Sequence, residues 1–282
     1  MKQTTASINL AGNLVQLDKP LVMGILNVTP DSFYPASRTE GDAEIAARAK
    51  QIIDEGGSII DIGAYSSRPG ADDVPPEEEM RRLAHALRII RQAVGDAVCS
   101  VDTFRADVAR MCVEEYGVAM VNDISGGELD GAMFDTVARL KVTYVLMHMK
   151  GTPKDMQHDP AYEDVLGEVM QYLAGKVATL NDKGVSDIVI DPGFGFGKTL
   201  DDNYRLMAHL DLFKELGCPL LVGVSRKSMI CKLLGITADD ALNGTTALDT
   251  FALMKGADIL RVHDVRQAVE AVEITGKLKQ FG

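Results

Sequence analysis

Eight short apolar runs, each ending at a polar or ionisable residue, constrain the fold of this chain more than any other feature. Continuous runs of β-branched and aliphatic residues are typical of strands that are buried on both faces, as in a parallel sheet. Segments with helical periodicity separate most of the runs, and they predict the crossovers that parallel strands require. The residues that end the eight runs are Asn27, Asp61, Asp102, Asn122, His148, Asp191, Ser225 and Arg261.

Eight such units predict an α/β fold, a (β/α)8 barrel in which the C-terminal ends of all strands meet at one face. Active sites in this architecture lie on that face, so the residues that end the runs are candidates for function. The fold alone does not identify a reaction. A weakly alternating segment from Ser7 to Leu17, around Gly12-Asn13, predicts a hairpin that covers the opposite end of the barrel.

Composition limits the class of protein. The chain has 282 residues, 46% of them hydrophobic, which suits one barrel domain over residues 1–282. Its net charge of −12 argues against nonspecific binding to nucleic acid or to an anionic membrane. No window is long and apolar enough for a membrane span, and the start lacks the apolar core of a signal peptide. Four dispersed cysteines without a C-x-x-C pair favour a reduced, cytoplasmic location over a zinc site or a disulfide framework.

The connecting segments differ in character. Residues 42–55 and 75–90 carry apolar residues at helical spacing, which predicts helices whose apolar faces point inward. Residues 28–41 and 64–74 are instead rich in Pro, Ser, Gly and Asp, and we expect them to form mobile loops over the barrel mouth.

Several of these loops and strand ends carry specific motifs, which occur in a fixed order along almost the whole chain. They are Asn27-Val28-Thr29-Pro30-Asp31-Ser32-Phe33, Ser66-Ser67-Arg68-Pro69-Gly70-Ala71, Val101-Asp102-Thr103, Asn122-Asp123-Ile124-Ser125-Gly126-Gly127, Asp191-Pro192-Gly193-Phe194-Gly195-Phe196-Gly197-Lys198, Ser225-Arg226-Lys227-Ser228 and Arg261-Val262-His263. In this combination the chain resembles the dihydropteroate synthase family. The resemblance implies a transferase of folate biosynthesis that joins 4-aminobenzoate to 6-hydroxymethyl-7,8-dihydropterin diphosphate and releases pyrophosphate. It also implies a homodimer.

The strand-end carboxylates and amide suit a pterin. The aminopyrimidinone edge of a pterin presents several N–H donors. Inward-facing carboxylates and a side-chain amide can accept hydrogen bonds from them in a water-poor pocket. Asp102, Asn122 and Asp191 supply such groups, and the resemblance assigns them to pterin binding together with Lys227 and Arg261. The alternative use of strand-end Asp and Asn residues is to cap the helices that follow.

Departure of pyrophosphate requires positive charge, and the resemblance implies Mg²⁺ as cofactor with Asn27 as its protein ligand. Mg²⁺ commonly relies on substrate phosphates in place of a protein cage. The residues assigned to the diphosphate are Asn27, Ser67, Arg68, Arg261 and His263. The alternatives are a solvated loop cation for Arg68 and a hydrogen-bonded strand-end histidine for His263.

The 4-aminobenzoate pocket is expected beside Lys227. The resemblance places six residues there, and apolar walls with a hydroxyl suit an aromatic carboxylate: Phe33, Ser67, Pro69, Phe194, Lys227 and Ser228. The arylamine is a neutral nucleophile that needs positioning more than a general base. We therefore expect an SN1-like displacement, in which Asp102 and Asp191 stabilise a cationic pterin methylene and Lys227 assists. Sulfonamides are expected competitors.

Other assignments remain open. In the second loop a common family spelling, Gly-Glu-Ser-Thr-Arg-Pro-Gly, is replaced by Ala64-Tyr65-Ser66-Ser67-Arg68-Pro69-Gly70, so the chain departs from the family where the loop is expected to close and keeps the hydroxyl of Ser67 without the Glu. The segment Gly197-Lys198-Thr199 suggests a phosphate-loop enzyme, but that motif needs Gly where the chain has Pro192. A methyltetrahydrofolate:corrinoid methyltransferase shares a pterin-binding barrel but needs no diphosphate site. A catalytically silent pterin-binding paralogue would bind pterin without turnover.

Overall fold

The computed structural model describes residues 6–28, 38–65, 74–152, 156 and 160–281. The strands in these residues are β1 (Ser7–Leu10), β2 (Asn13–Gln16), β3 (Leu21–Asn27), β4 (Ile59–Gly63), β5 (Cys99–Asp102), β6 (Met120–Asp123), β7 (Thr143–Met147), β8 (Ile188–Asp191), β9 (Leu221–Val222) and β10 (Ile259–Val262). The helices are α1 (Arg38–Asp54), α2 (Pro76–Val94), α3 (Ala106–Tyr116), α4 (Met133–Leu140), α5 (Val165–Asp182), α6 (Leu200–Ala208), a 3-10 helix (Leu210–Leu216), α7 (Ser228–Leu234), α8 (Leu242–Met254) and α9 (Val265–Lys279).

The strands β3 to β10 form one parallel sheet in the order β8-β7-β6-β5-β4-β3-β10-β9. A parallel bridge between Ile190 and Leu220 joins its two edges. The sheet therefore closes into a barrel with helices between consecutive strands, and the predicted (β/α)8 fold is confirmed.

Alternate residues of the strands face opposite sides of the barrel wall, as the two-residue period of a strand requires. One set packs in the barrel interior near the strand N-termini, and the intervening set packs in the main core with residues of the surrounding helices. The interior set contains Met23, Ile59, Met120, Val145, Val189, Leu221 and Ile259. Two residues further along β4, β6, β8 and β10, on the same face, stand Asp61, Asn122, Asp191 and Arg261. The barrel interior thus changes from apolar to polar toward the C-terminal ends of the strands.

The predicted N-terminal hairpin is present as β1 and β2. Ile8, Leu10 and Leu17 join the apolar interior set, so the hairpin covers the bottom of the barrel. Its turn lies at Ala11-Gly12, one residue before the Gly12-Asn13 expected from the sequence, and both turn residues have positive φ angles. A hydrogen bond of 2.8 Å from the backbone N–H of Asn9 to Asp187 Oδ1 fixes the hairpin beside the start of β8.

The two predicted helices are also present. Ile45, Ala49 and Ile52 of α1 are buried, as are Leu83 and Leu87 of α2, so the apolar stripes do face inward. Because α1 begins at Arg38, the first connection is shorter than the predicted 28–41, and residues 29–37 and 66–73 lie outside the described residues. The described part of the chain contains no helix with the length and hydropathy of a transmembrane span.

Candidate active site

Arg261 lies at the centre of a polar cluster at the barrel mouth. Its Nε donates to Asp61 Oδ2 at 2.6 Å and its Nη2 donates to Asp102 Oδ2 at 2.7 Å. Asn122 Nδ2 also donates to Asp61 Oδ2, at 3.1 Å. Asp61 Oδ1 is buried and has no hydrogen-bond partner within the described part of the chain. Four strands therefore bring two carboxylates, one amide and one guanidinium into a single hydrogen-bonded group.

Burial and neighbouring charges set the protonation of this cluster. Burial raises the pKa of Asp102 to about 7; the Arg261 guanidinium opposes the shift and the Asp61 carboxylate adds to it. Burial disfavours the charged form of Arg261, but Asp61 and Asp102 outweigh this and hold its pKa above the ordinary value. Arg261 is thus a permanent cation, while Asp102 changes charge near neutral pH.

The loop after β8 connects Asp191 with Lys227. The backbone N–H of Gly193 donates to Asp191 Oδ1 at 2.7 Å, and Lys227 Nζ donates to the carbonyl of Phe194 at 2.6 Å. The ammonium of Lys227 also lies 4.8 Å from the centroid of the Phe196 ring. Burial raises the pKa of Asp191 and lowers that of Lys227 to about 8, the latter opposed by Asp191. The loop therefore places an acidic and a basic group next to each other at the mouth.

Asn27 and Asp102 flank Gly63 on neighbouring strands. A Cβ atom added at Gly63 would lie 3.5 Å from Asn27 Oδ1 and 3.5 Å from Asp102 Cβ. Only a residue without a side chain leaves this space open between the amide oxygen and the carboxylate. The end of β3 thus presents an oxygen donor beside the polar cluster.

His263, two residues after Arg261, is hydrogen-bonded to Ser225. The backbone N–H of His263 donates to Ser225 Oγ at 3.1 Å, and Ser225 Oγ lies 3.0 Å from His263 Nδ1. Burial, with a contribution from Arg261, lowers the pKa of His263 to about 4, so the ring is neutral near pH 7. When the ring hydrogen is on Nε2, Nδ1 accepts a hydrogen bond from the Ser225 hydroxyl and the Nε2–H remains to donate.

The structure brings together the predicted residues Asp102, Asn122 and Arg261, with Asp191 at the end of β8 and Lys227 in the loop after β9. Two further candidates have different surroundings: the Phe194 side chain is fully buried in the main core, and Ser228 is exposed at the first position of α7. The assignment of both to the 4-aminobenzoate pocket stays a prediction. The remaining candidates lie outside the described residues; they are Phe33, Ser67, Arg68 and Pro69.

Three groups at the mouth were not assigned roles from the sequence. Asp61 ends an apolar run, but its pairing with Arg261 depends on β10 lying two strands away, which no local pattern reveals. Lys198 is almost fully buried behind Asp191, although it looks like a loop lysine in the sequence. The third group is an apolar cluster around the mouth, formed by Phe104, Ile124, Met147, Met149, Met156 and Phe196.

Asp123, which neighbours Asn122, has a structural role instead. Its carboxylate accepts hydrogen bonds from the Ser125 backbone and hydroxyl at 2.7 Å each, from the Gly127 N–H at 3.0 Å and from the Tyr144 hydroxyl at 2.8 Å. A carboxylate with four internal donors has little capacity left for a ligand. Asp123 therefore stabilises the turn after β6, whereas Asn122 points into the barrel, where it donates to Asp61.

Comparison with known proteins gives consistent results. Residues 23–263 match the family model described as pterin binding enzyme. The chain is 41% identical over 265 residues to the dihydropteroate synthase of Escherichia coli strain K12, with 93% of each chain covered. A structure of Xanthomonas albilineans dihydropteroate synthase with 4-aminobenzoic acid superposes with a TM-score of 0.90 and 38% identity, covering 98% of this chain and 99% of that one. A sulfonamide complex of the Yersinia pestis dihydropteroate synthase superposes with a TM-score of 0.88 and 37% identity, covering 98% and 100%.

Proposed function

This chain belongs to the dihydropteroate synthase family of pterin-binding enzymes, and from that premise we propose that the residues at its barrel mouth carry out dihydropteroate synthesis. The reaction condenses 6-hydroxymethyl-7,8-dihydropterin diphosphate with 4-aminobenzoate to 7,8-dihydropteroate and pyrophosphate, a transferase step of folate biosynthesis. The observation that carries the assignment of residues is the group formed by Asp61, Asp102, Asn122 and Arg261, with Asp191 and Lys227 beside it.

The pterin ring binds in this polar group. Asp61 Oδ1, which is buried without a partner in the described chain, and the carboxylate of Asp191 accept N–H donors of the aminopyrimidinone. Arg261 lies in a plane fixed by its two carboxylate contacts, so its guanidinium stacks on the pterin or reaches the diphosphate. The apolar cluster around Ile124 and Met147 covers the rest of the ring and excludes water.

Cleavage of the bond between the methylene carbon and the diphosphate oxygen leaves a cationic pterin methylene. Asp102 and Asp191 stabilise that positive charge because both are carboxylates held in a poorly hydrated pocket. The departing pyrophosphate carries the electron pair of the broken bond, and Arg261, the Nε2 hydrogen of His263 and, from the second loop, Arg68 with Ser67 stabilise its negative charge. The arylamine nitrogen then attacks the methylene carbon to form the C–N bond, and the resulting secondary ammonium releases one proton to water or to pyrophosphate.

Mg²⁺ fits the mouth as a partner of the diphosphate. No group of three or more His, Cys, Asp or Glu side chains in the described chain could hold a metal by itself. The Asn27 amide oxygen beside Gly63 is instead a single hard donor, which suits an ion whose other ligands are phosphate oxygens and water. When bound, Mg²⁺ would neutralise charge on the leaving pyrophosphate.

The 4-aminobenzoate binds next to Lys227, whose ammonium is close enough to the mouth to pair with its carboxylate. Phe33, Ser67, Pro69, Phe194 and Ser228 shape the remainder of this pocket. No general base is assigned, because an arylamine is a neutral nucleophile at pH 7 and positioning supplies most of the acceleration.

The enzyme acts as a cytoplasmic homodimer in this proposal. Large apolar side chains are exposed on two helices that pack against each other: Phe251 (40%) and Met254 (51%) on α8, and Ile274 (60%) and Leu278 (56%) on α9. The chain as a whole is strongly charged, at −12, so an exposed apolar surface stands out on it. Burial of this surface against a second copy of the chain explains it. Sedimentation of Ile274→Glu as a monomer, with Leu14→Glu remaining a dimer, would support the interface.

Product formation tests the proposed function. Purified protein is incubated with the pterin diphosphate, Mg²⁺ and 4-aminobenzoate, and 7,8-dihydropteroate and pyrophosphate are quantified with each substrate omitted in turn. Dihydropteroate that forms only with both substrates supports the synthase. Pterin binding without product would indicate the silent paralogue, and methyl transfer from a methylated pterin would indicate the methyltransferase.

A further inference from the structure

Lys198 has no role in the reaction described above. Its buried side chain is hydrogen-bonded to the loop after β8. The side chain is 4% exposed. Its Nζ lies 2.9 Å from the Gly193 carbonyl oxygen, 3.0 Å from the Phe196 carbonyl oxygen and 2.9 Å from His148 Nδ1. A fourth acceptor, the His148 carbonyl oxygen, lies further away at 3.4 Å. An ammonium has three N–H donors, and the three nearer acceptors match them in number.

The His148 ring acts here as an acceptor. Burial, with the charge of Lys198 adding to it, lowers the pKa of His148 to about 3, so the ring is neutral and Nδ1 has a free lone pair. The charged groups that act on Lys198 are Asp191, Asp202 and Lys227, and burial lowers the pKa of Lys198 to about 7. Because the hydrogen-bond acceptors of the ammonium are all neutral, Lys198 stabilises the turn through its N–H donors and not through an ion pair.

The turn around this ammonium holds both neighbouring functional groups. The Gly193 N–H donates to Asp191, the Phe194 carbonyl accepts from Lys227, and the Phe196 ring lies below the Lys227 ammonium. Lys198 binds the carbonyls of Gly193 and Phe196, which are the first and last residues of the turn that makes these contacts. Any movement of the turn therefore displaces the partners of Asp191 and Lys227 together.

The turn is also pressed against the loop after β7. A Cβ atom added at Gly193, where φ is 72°, would lie 1.9 Å from the His148 carbonyl oxygen. At Gly197 it would lie 2.3 Å from the Lys150 carbonyl oxygen. Without the ammonium, the buried carbonyls of Gly193 and Phe196 would lose a donor in a space too tight for much rearrangement, so the turn would have to open outward.

We propose that Lys198 is a positioning residue for dihydropteroate synthesis: its ammonium fixes the turn 193–196 so that Asp191 and Lys227 face the bound pterin. This inference rests on the proposed function of the barrel mouth, but it also predicts a structural change that does not depend on activity. Lys198 contacts neither the substrate nor the reacting atoms in this scheme, and it acts through the loop.

Lys198→Met tests the proposal, because methionine fills the space without a hydrogen-bond donor. We expect kcat per folded molecule to fall by about 100-fold, the loss that a misplacement of about 1 Å can cause. We also expect faster hydrogen exchange at the Gly193 amide, whose acceptor is Asp191. Lys183→Met, at a surface lysine paired with Asp135, is the matched control and should leave both quantities unchanged.

Lys198→Ala supplies a second test, because propylammonium contains the atoms that this substitution removes. Added propylammonium should restore turnover and slow exchange, whereas 1-propanol, which has similar volume and no charge, should not. Wild-type kcat and wild-type exchange in Lys198→Met would overturn the proposal, as would a Lys198→Ala protein whose folding and activity the amine never improves. A wild-type protein without synthase activity would refute the proposed function, while the exchange data would still decide the role of Lys198 in the loop.

Discussion

The Nε of Arg261 donates to the carboxylate of Asp61 at 2.6 Å, and Asp61 is fully buried. Buried ion pairs of this kind recover little net free energy, because desolvation of the two charges offsets their attraction. A fixed guanidinium at the barrel mouth is therefore better explained by function than by stability. The contact with Asp61 uses the Nε of Arg261, so Nη2 remains to donate to Asp102. The Asp61 contact thus orients the guanidinium toward Asp102.

Asp61→Asn should destabilise the protein and reduce turnover. Removing one partner leaves a half-buried, incompletely paired Arg261, which costs about 3 kcal/mol of unfolding free energy. Urea denaturation measures this cost, and Asp107→Asn, at an exposed pair with Arg110, should change it by less than about 0.5 kcal/mol. A variant at Asp61 as stable and active as the wild type would show that the pair does not orient Arg261.

Asp102→Asn should lose turnover while the protein stays folded. Asparagine keeps the shape of the side chain and an oxygen for Arg261, but it removes the negative charge that opposes the cationic methylene. We expect kcat to fall by about 100-fold or more, as for other groups that stabilise transition-state charge. Steady-state kinetics with thermal denaturation separates the two effects, and unchanged turnover would remove Asp102 from the mechanism.

Activity should depend on pH with a maximum near pH 7, because Lys198 as well as Lys227 loses its charge at higher pH. Burial raises the pKa of Asp102 to about 7, with Arg261 opposing and Asp61, Glu79 and Asp123 adding, so its carboxylate is protonated and inactive at lower pH. Burial lowers the pKa of Lys227 to about 8, with Asp191 and Asp102 opposing and Arg261 adding, so its ammonium is lost at higher pH. These pKa values describe the coupled group as a whole.

The kcat/KM for 4-aminobenzoate, measured between pH 5 and 10, tests this profile. Lys227→Met should have a lower value throughout and no alkaline step near pH 8, while the step near pH 7, where Lys198 loses its charge, should remain. A step near pH 8 that persists in Lys227→Met would assign it to another group.

Asp249→Asn should change how stability varies with pH. Asp249 is a buried residue of α8 whose Oδ1 has no hydrogen-bond partner among the described residues. Burial raises its pKa from 3.8 to about 8, with Asp264 adding to the shift. Between these values the unfolded chain releases a proton that the folded protein retains, so the contribution of Asp249 to stability is lost as pH rises from about 4 to about 8.

Asparagine abolishes this linkage, and the stability of the variant relative to the wild type should rise over that range by on the order of a few kcal/mol. Urea titrations at pH 4.5, 6 and 8 measure it. Parallel curves for the two proteins at all three pH values would contradict a neutral, buried Asp249.

Sulfonamides should compete with 4-aminobenzoate, because their arylamine and ionised sulfonamide group mimic the amine and the carboxylate of that substrate beside Lys227. Initial rates at several concentrations of both compounds should give a raised KM for 4-aminobenzoate at unchanged kcat. A fully active enzyme that saturating sulfonamide does not inhibit would contradict the proposed pocket.

Much of the framework is predictable from the sequence because it follows from local periodicity. The apolar runs locate the strands, and a two-residue period places Asn122, Asp191 and Arg261 on the same inner face as the apolar layer below them. Contacts between distant strands are less accessible, since the pairing of Asp61 with Arg261 depends on how the barrel closes.

The loop after β8 shows why side-chain direction is hardest to predict. Gly193 and Gly195 have φ angles of 72° and 82°, so the chain there follows neither a helical nor a strand period. As a result Phe194 enters the core while Phe196 lies beside Lys227. The burial of Lys198 has the same origin, because the turn folds around its ammonium.

Positional isotope exchange tests most directly whether the mouth carboxylates stabilise a cationic pterin methylene. The substrate carries ¹⁸O between the methylene carbon and the α-phosphorus, and it is incubated with enzyme and Mg²⁺ without 4-aminobenzoate. Reversible cleavage should move the label into non-bridging phosphate positions, and Asp102→Asn should slow this movement about as much as it slows turnover. Label that stays in place, in enzyme that makes dihydropteroate at a normal rate once 4-aminobenzoate is added, would contradict the ionised intermediate.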